Sequence, residues 1–407
     1  MEQILFLAHR VPWPADRGDK IRSNNILKRL AELGHVHVGA FADDDRDMDH
    51  SSEMRQFLAS QHIEKRKKPM MRAGIEAIRR GEPVSLTSFH SPRMQAWVDE
   101  LIARGKISHI FVFSGQMAQY VPHDFAGKLI MDFVDVDSAK FESYADEGNP
   151  LMRWIHAREG RLLRAYEHET ARRADANLFV SDAEAQLFRD RSGLRVDKVM
   201  ALSNGIDTLF YNPENDFAAP KRKLNGELIV FTGQMDYRPN VEAVVDFATH
   251  AMPKILRKLP HAKFVIVGRN PTGAVKALAK KPGVKVIGPV DDVRSWLSIA
   301  DVVVAPLRIA RGIQNKVLEA MAMAKPVVAS TAAAEGISAA HNQHFIIAPN
   351  VAAEAQSVIE LLGDAKRRDL LGRTARAHVI DYYGWAHQLR PLDALLDINT
   401  HIEQAAE

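Results

Sequence analysis

Short apolar runs alternate along the chain with longer stretches whose apolar residues recur every three or four positions. Residues 4–8 are apolar throughout, the pattern of a strand buried on both faces. Ile26, Leu27, Leu30, Ala31 and Leu33 follow at helical spacing, and Gly34 ends that helix. The run 36–41 reads as a second strand, and 107–113, 129–133, 177–180 and 199–202 continue the set. A second set comprises 228–232, 263–267, 284–287, 302–305, 327–330 and 345–348. Helical patterns separate nearly every pair. Strands alternating with helices predict an α/β fold with parallel sheets covered on both faces.

The two sets are parted by a polar, turn-rich stretch with Pro213, Pro220, Lys221-Arg222-Lys223 and Asn225-Gly226. This predicts a first Rossmann-like domain over 1–208, a linker over 209–226 and a second such domain over 227–384. Residues 385–407, opening on Trp385, read as a C-terminal helix with the option of packing back on the first domain.

Composition changes this picture little but excludes several classes. Of 407 residues, 46% are hydrophobic and 26% charged, so disordered, collagen-like and coiled-coil chains are ruled out. There is no cysteine, which removes disulfide scaffolds, thiolate metal sites and cysteine catalysis. Charge is nearly balanced at +3, so nothing points to nucleic acid as a partner. The first apolar run has Glu2 before it and His9-Arg10 after it, unlike a secretory signal, and no run approaches the length of a membrane span. A cytoplasmic protein is expected.

In open parallel sheets ligands bind beyond the carboxyl ends of strands, so the loops there are the candidates. After the first strand, residues 10–20 hold two prolines, Gly18 and several charges. Arg17, Lys20 and Arg22 lie near the start of the next helix, where a cation is unfavourable unless an anion sits beside it. Asp132, Asp135 and Asp137 follow the strand 129–131, with Ser138 and Lys140 beyond. Carboxylates at this spacing are able to hold a metal, orient sugar hydroxyls or act as a base, while one of them is satisfied as a helix N-cap. Metal binding is the weaker option, because no further ligand stands at a suitable spacing. Asn204-Gly205 marks a turn. Gly233 follows the first strand of the second set, with Arg238 within reach of a phosphate, and Gly268-Arg269 repeats the arrangement.

The most informative segment runs from Pro306 through Arg308, Arg311, Gly312, Ile313, Gln314, Asn315 and Lys316 to Glu319 and Met321. Gly312 is expected to open a helix reaching about Ala324. The free N–H groups of such a first turn form an anion site, and Lys316 there calls for a bound anion. Glu319 lies three residues on, nearly on the same face. One further segment, 65–80, interleaves bases with Met70, Met71, Ile75 and Ile78. It reads either as a docking segment for an anionic membrane surface or as a solvated loop and helix.

These loops together resemble the GT-B nucleotide-sugar glycosyltransferases of family 4, a retaining group, over essentially the whole chain. The landmarks are Gly18, Asn204-Gly205-Ile206-Asp207 with Phe210 and Pro213, Gly233, Gly268, and Gly312 through Glu319 with Glu319-Ala320-Met321. The segments 312–322 and 132–140 look closest to the sugar transferases associated with PEP-CTERM/exosortase exopolysaccharide loci. The resemblance implies a hexosyltransferase-type enzyme with two facing Rossmann-like domains and no cofactor or metal. A nucleotide-diphosphate sugar is the donor, and a lipid-linked or polysaccharide acceptor receives the sugar. It implies a phosphate-facing role for Lys316 with Arg238 as companion, and a ribose-holding role for Glu319. Gly18, Gly233, Gly268 and residues 311–315 would complete the donor site, Arg17, Lys20 and Ser114 would serve the acceptor, and Asp135 and Asp137 would act at the reacting sugar.

Three departures accompany it. Arg311 stands where the family carries the first glutamate of its Glu-x7-Glu motif, Gln234 follows Gly233 where many members have a base, and Ser114-Gly115-Gln116 replaces a strand-end histidine. Two other readings therefore stay open: a binding protein of this fold without activity, and a nucleotide-sugar epimerase.

Overall fold

The computed structural model describes residues 2–15, 17–49, 57–146, 149–218, 220, 224–310 and 312–397. The chain forms two compact units, Met1–Asn204 with Gln388–Glu407, and Gly205–His387.

The first unit is built on a parallel seven-stranded sheet in the order β3-β2-β1-β4-β5-β6-β7. Its strands are β1 Glu2–Ala8, β2 Gly34–Ala42, β3 Ser60–Lys65, β4 His109–Phe113, β5 Lys128–Val134, β6 Ala176–Phe179 and β7 Val199–Ala201. Leu5, Leu7, Ile110, Val112 and Met131 are wholly buried in the core beneath the flanking helices. β3 is the strand that periodicity does not announce. It sits at the sheet edge with every residue half-buried, so its sequence Ser-Gln-His-Ile-Glu-Lys needs no apolar face.

The second unit carries a parallel six-stranded sheet in the order β10-β9-β8-β11-β12-β13. The strands are β8 Leu228–Thr232, β9 Lys263–Val267, β10 Val284–Gly288, β11 Val302–Ala305, β12 Val327–Ser330 and β13 Ile346–Ala348. Strand order reverses between β1 and β4 in one sheet and between β8 and β11 in the other. A crevice opens at such a reversal, because the connections leave to opposite sides.

The division between the units falls at Gly205 and, toward the C-terminus, after His387. Packing explains the first boundary. Ile206 bridges to Gly384, and a Cβ at Gly205 would lie 2.6 Å from the Trp385 Cα. Beyond it, the helix Pro391–Leu395 returns to the first unit: Arg29 donates to Asp393, and His109 Nε2 meets the Leu396 carbonyl at 2.7 Å. No helix among the described residues is long and apolar enough to cross a membrane.

Candidate functional site

In the second unit the loops after β8, β9 and β11 converge. Gly233 leaves β8 with φ 156° and Gly268 leaves β9 with φ 157°. A Cβ on Gly268 would stand 1.7 Å from the Gly233 carbonyl oxygen, and one on Gly233 would stand 3.2 Å from Lys316 Nζ. Only glycine allows the two loops this close while leaving the lysine approachable.

β11 leads through an irregular segment to the helix Asn315–Ala322. The helix expected from Gly312 therefore starts three residues later. Gly312 instead takes the left-handed conformation, φ 62°, and packs against Gly336, where a Cβ would be 2.7 Å from the Gly312 carbonyl. No side chain caps the first turn of Asn315–Ala322, and with Val317 N–H donating to the Gln314 carbonyl at 2.9 Å, the N–H groups of Asn315 and Lys316 are the ones open to an anion.

Lys316 is the second residue of that helix. Its ammonium sits 4.7 Å above the Phe231 ring and donates to Asn240 Oδ1, while Asn240 Nδ2 donates to the Gln234 carbonyl at 2.9 Å. No carboxylate among the described residues forms an ion pair with it. Burial pushes the Lys316 ammonium down to about 8. Glu319, one turn on, accepts a hydrogen bond from the Tyr211 hydroxyl, and burial raises its carboxyl above the usual range. A hollow of about 340 Å³ lies at the two glycine loops, lined by Gly233, Gln234, Gly268, Arg269 and Val290 among others. The arrangement, a cation beside open helix N–H groups, suits an anionic ligand. A nucleoside diphosphate bound there should meet a lysine that loses its charge as pH rises through about 8. Affinity measured by calorimetry is then expected to fall from pH 7.5 to 9.5, approaching tenfold per unit, and to stay flat in Lys316→Arg, whose charge persists.

The first unit has its own cavity, of about 380 Å³, at the carboxyl ends of β1, β4 and β5. Ser114 after β4 and Val134 at the end of β5 both line it, at φ 77° and 70°. For a β-branched valine that conformation is a genuine outlier, and such strain gathers at functional sites. Arg10 donates to Asp19 at 2.6 Å and to Asp43 at 2.7 Å. Against the effect of burial, hydrogen bonds from His9 and Arg10 hold the Asp19 carboxyl well below its usual range. His9 stacks on Phe113, with centroids 5.8 Å apart, and its Nδ1 has no partner among the described residues. Asp135 and Asp137 share Lys140 at 3.7 and 3.2 Å, and Ser114 Oγ donates to Gln116.

Not every expected base serves a ligand. Lys20 is buried in an ion pair with Asp47 and is unavailable to an acceptor. Arg22 and Asp132 are likewise buried together, so Asp132 leaves the carboxylate group and only Asp135 and Asp137 face the cavity. Arg17 lies 3.5 Å from Asp43. Gly18 is the first residue of the helix Gly18–Leu33, with open space where a Cβ would be. Arg238, the expected companion of Lys316, points outward and holds Glu242 at 2.7 Å, and Asn240 takes its place. Arg308 is tied to buried Glu354 and to Asp246. Ile313, Gln314 and Asn315 border the helix start, and Arg311 lies outside the described residues. Asn240, Phe231, Tyr211 and His9 are the participants that residue spacing does not reveal, since each reaches its partner only through the fold.

Both domains find their counterparts among known families. Residues 20–205 match the model described as glycosyl transferase 4-like domain, and residues 226–364 the one described as glycosyl transferases group 1. The chain thus carries these two glycosyltransferase domains, in that order, on a GT-B fold. Among curated proteins it is 27% identical over 203 residues to a GDP-mannose-dependent monoacylated alpha-(1-6)-phosphatidylinositol monomannoside mannosyltransferase of Corynebacterium glutamicum. That match takes in 45% of this chain and 52% of the relative, so the chain spans about half the length of the curated relative it matches. Among solved structures, HepE of Anabaena in complex with UDP is similar with TM-score 0.61 at 15% identity, covering 98% of this chain and 100% of that one. A glycosyltransferase from Rickettsia africae gives TM-score 0.60 at 15% identity, covering 98% and 99%.

Proposed function

We propose that the protein transfers a sugar from a nucleoside-diphosphate sugar bound by the second unit to an acceptor hydroxyl held by the first. The observation that carries this reading is Lys316, a half-buried cation that forms no ion pair with a carboxylate among the described residues, at an uncapped helix start beside two glycines. As the bond from the anomeric carbon to the diphosphate oxygen breaks, negative charge grows on that oxygen. Lys316 and the helix N–H groups are placed to stabilise it. The acceptor oxygen bonds the anomeric carbon and its proton passes to the departing diphosphate, which gives retention when both events occur on one face. Glu319 accepts hydrogen bonds from the donor ribose, and no metal or cofactor enters the scheme.

The first-unit cavity suits a neutral polyhydroxyl ligand. Its cations Arg10, Arg66 and Lys140 are matched by Asp19, Asp135 and Asp137, so hydrogen bonding rather than net charge would select the occupant. Asp135 and Asp137 orient the acceptor hydroxyl, which belongs to a lipid-linked or polysaccharide chain. Exopolysaccharide assembly as the setting rests on the resemblance of 132–140 and 312–322 to the exosortase-associated transferases. A UDP or GDP donor is favoured by what the relatives' names state, GDP-mannose for one and bound UDP for another.

A thermal-shift and calorimetry screen against UDP, GDP, ADP and their sugars tests the reading. One diphosphate should stabilise the protein, and its sugar should be consumed with retained anomeric configuration by NMR when an acceptor is added. No response to any nucleotide would sink it. Binding without transfer would leave a nucleotide-sugar-binding protein, and isomerised donor without acceptor would make it an epimerase. Glu319→Gln should weaken the diphosphate sugar by about tenfold, the scale of one charged hydrogen bond. Its melting temperature should stay within about 2 °C, since glutamine still accepts from Tyr211. A collapsed melt with intact affinity would make Glu319 structural.

A further inference from the structure

We propose that the first unit docks on an anionic lipid bilayer through the helix Met70–Arg80 together with the first turns of the helix Pro150–Arg173, with Trp154 at headgroup level. This deepens the reading above, on whose lipid-linked acceptor its purpose rests, and it relocates the contact that the base-rich stretch 65–80 suggests. Most bases of that stretch are spent inside the unit. Lys65 pairs with Asp45, Arg66 with Asp43, Lys68 with Glu76, and Arg80 with Glu76.

The surface that remains is apolar with a basic rim. Met71, Ile75 and Ile78 form a stripe at helical spacing and are 81%, 57% and 65% exposed. Met70 beside them is 66% exposed. The opposite face is small, with Ala73 and Ala77 wholly buried, so the helix lies close on the unit and nothing among the described residues covers its large side chains. Arg158 donates to the carbonyls of Ala77 and Glu82, which fixes the second helix at the end of the first. Trp154 and Leu151 precede Arg158 by four and seven residues on the same helix face and are 58% and 66% exposed. Lys67, Arg72 and Arg79 are exposed and form no ion pair with a carboxylate among the described residues, Lys67 adding only to the field on Asp45.

An amphipathic helix with large apolar residues on one face and free bases beside it lies in a bilayer interface, and tryptophan favours the headgroup level. The free bases choose the occupant. A second copy of this chain would have to bury them against its own identical bases, whereas anionic lipid phosphates complement them.

The full-length protein is to be sedimented with vesicles of phosphatidylcholine alone and of phosphatidylcholine with about one third phosphatidylglycerol. Binding to the anionic vesicles is expected, with a blue-shifted tryptophan emission that Trp154→Phe removes. The double substitution Ile75→Glu/Ile78→Glu should lower the partition at least about tenfold. Lys67→Gln/Arg72→Gln/Arg79→Gln should lower it and flatten its salt dependence. Because all of these positions are exposed, melting temperature and nucleoside-diphosphate binding should stay those of the parent, so failure of the donor reading is scored separately. A parent that ignores anionic vesicles, or binding untouched by Ile75→Glu/Ile78→Glu, overturns the proposal. So does a concentration-dependent dimer that these substitutions abolish, which would assign the face to a second copy.

Discussion

Lys316→Met is expected to weaken nucleoside-diphosphate binding sharply while leaving the unliganded protein at least as stable as before. The loss follows from deleting a charged hydrogen bond to phosphate, about 1.5–3 kcal/mol, or roughly ten- to hundredfold in affinity. The unchanged or higher stability follows from the sign of the linkage. Folding depresses this lysine from its ordinary value to about 8. Below that pH the folded state carries a charge that burial disfavours. The penalty is relieved as pH rises from about 8 toward the unfolded value, because there the unfolded chain binds more protons. Methionine keeps the methylene packing over Phe231 and needs no partner for an ammonium. Asn240 keeps its bond to the Gln234 carbonyl. Calorimetry with the responding diphosphate and a melt without ligand check both halves. Unchanged affinity would move the phosphate elsewhere. A melting temperature lowered by more than about 5 °C would make Lys316 a stabilising residue rather than a ligand-binding one.

The largest loss of stability is expected from Asp132→Ala. Asp132 and Arg22 are buried together, with Nε to Oδ2 at 2.9 Å and Nη2 to Oδ1 at 3.2 Å. Arg22 Nη1 also donates to the Leu202 carbonyl at 2.6 Å and to Asn204 Oδ1 at 3.0 Å. One guanidinium thus joins the helix Gly18–Leu33, strand β5 and the chain just after β7. Removing its carboxylate leaves a buried charge without a counter-ion, at a cost of about 3–5 kcal/mol. Domains have about 5–15 kcal/mol in total, so the first unit should lose much of its margin. The paired replacement Arg22→Met/Asp132→Leu should cost clearly less than the sum of the single changes, because no lone charge remains. Urea denaturation of the four proteins measures this, and a cost below about 1 kcal/mol for Asp132→Ala would show that water reaches the pair.

The same comparison shows where sequence reasoning stops. Lys20, Arg22, Arg308 and Lys316 all read as bases near strand ends, each fit to meet an anion. Three of them have found one inside the protein, in Asp47, Asp132 and Glu354, and only Lys316 has not. Asp132 looked equivalent to Asp135 and Asp137, yet it lies within β5, where a strand side chain must point to one face or the other, and it points into the core. The aromatic and amide neighbours of the Lys316 ammonium, Phe231 and Asn240, stand 85 and 76 positions before it in the chain.

By itself the sequence determined the alternation of strands and helices, the two parallel sheets and the loops at strand ends where chemistry is found. These features rest on periodicity and on glycines in strained turns, which act over a few residues and are therefore legible locally. The edge strand β3 escaped because an edge half-buried throughout imposes no period. Tertiary structure alone decided which charges are spent and which are free. That outcome depends on partners far apart in the chain, such as Arg22 and Asp132 at a separation of 110 residues, and on how much water each pair keeps. It sorted the bases of residues 65–80 into internal ion pairs and an open rim, and it left Lys316 as a half-buried cation with no carboxylate ion pair among the described residues.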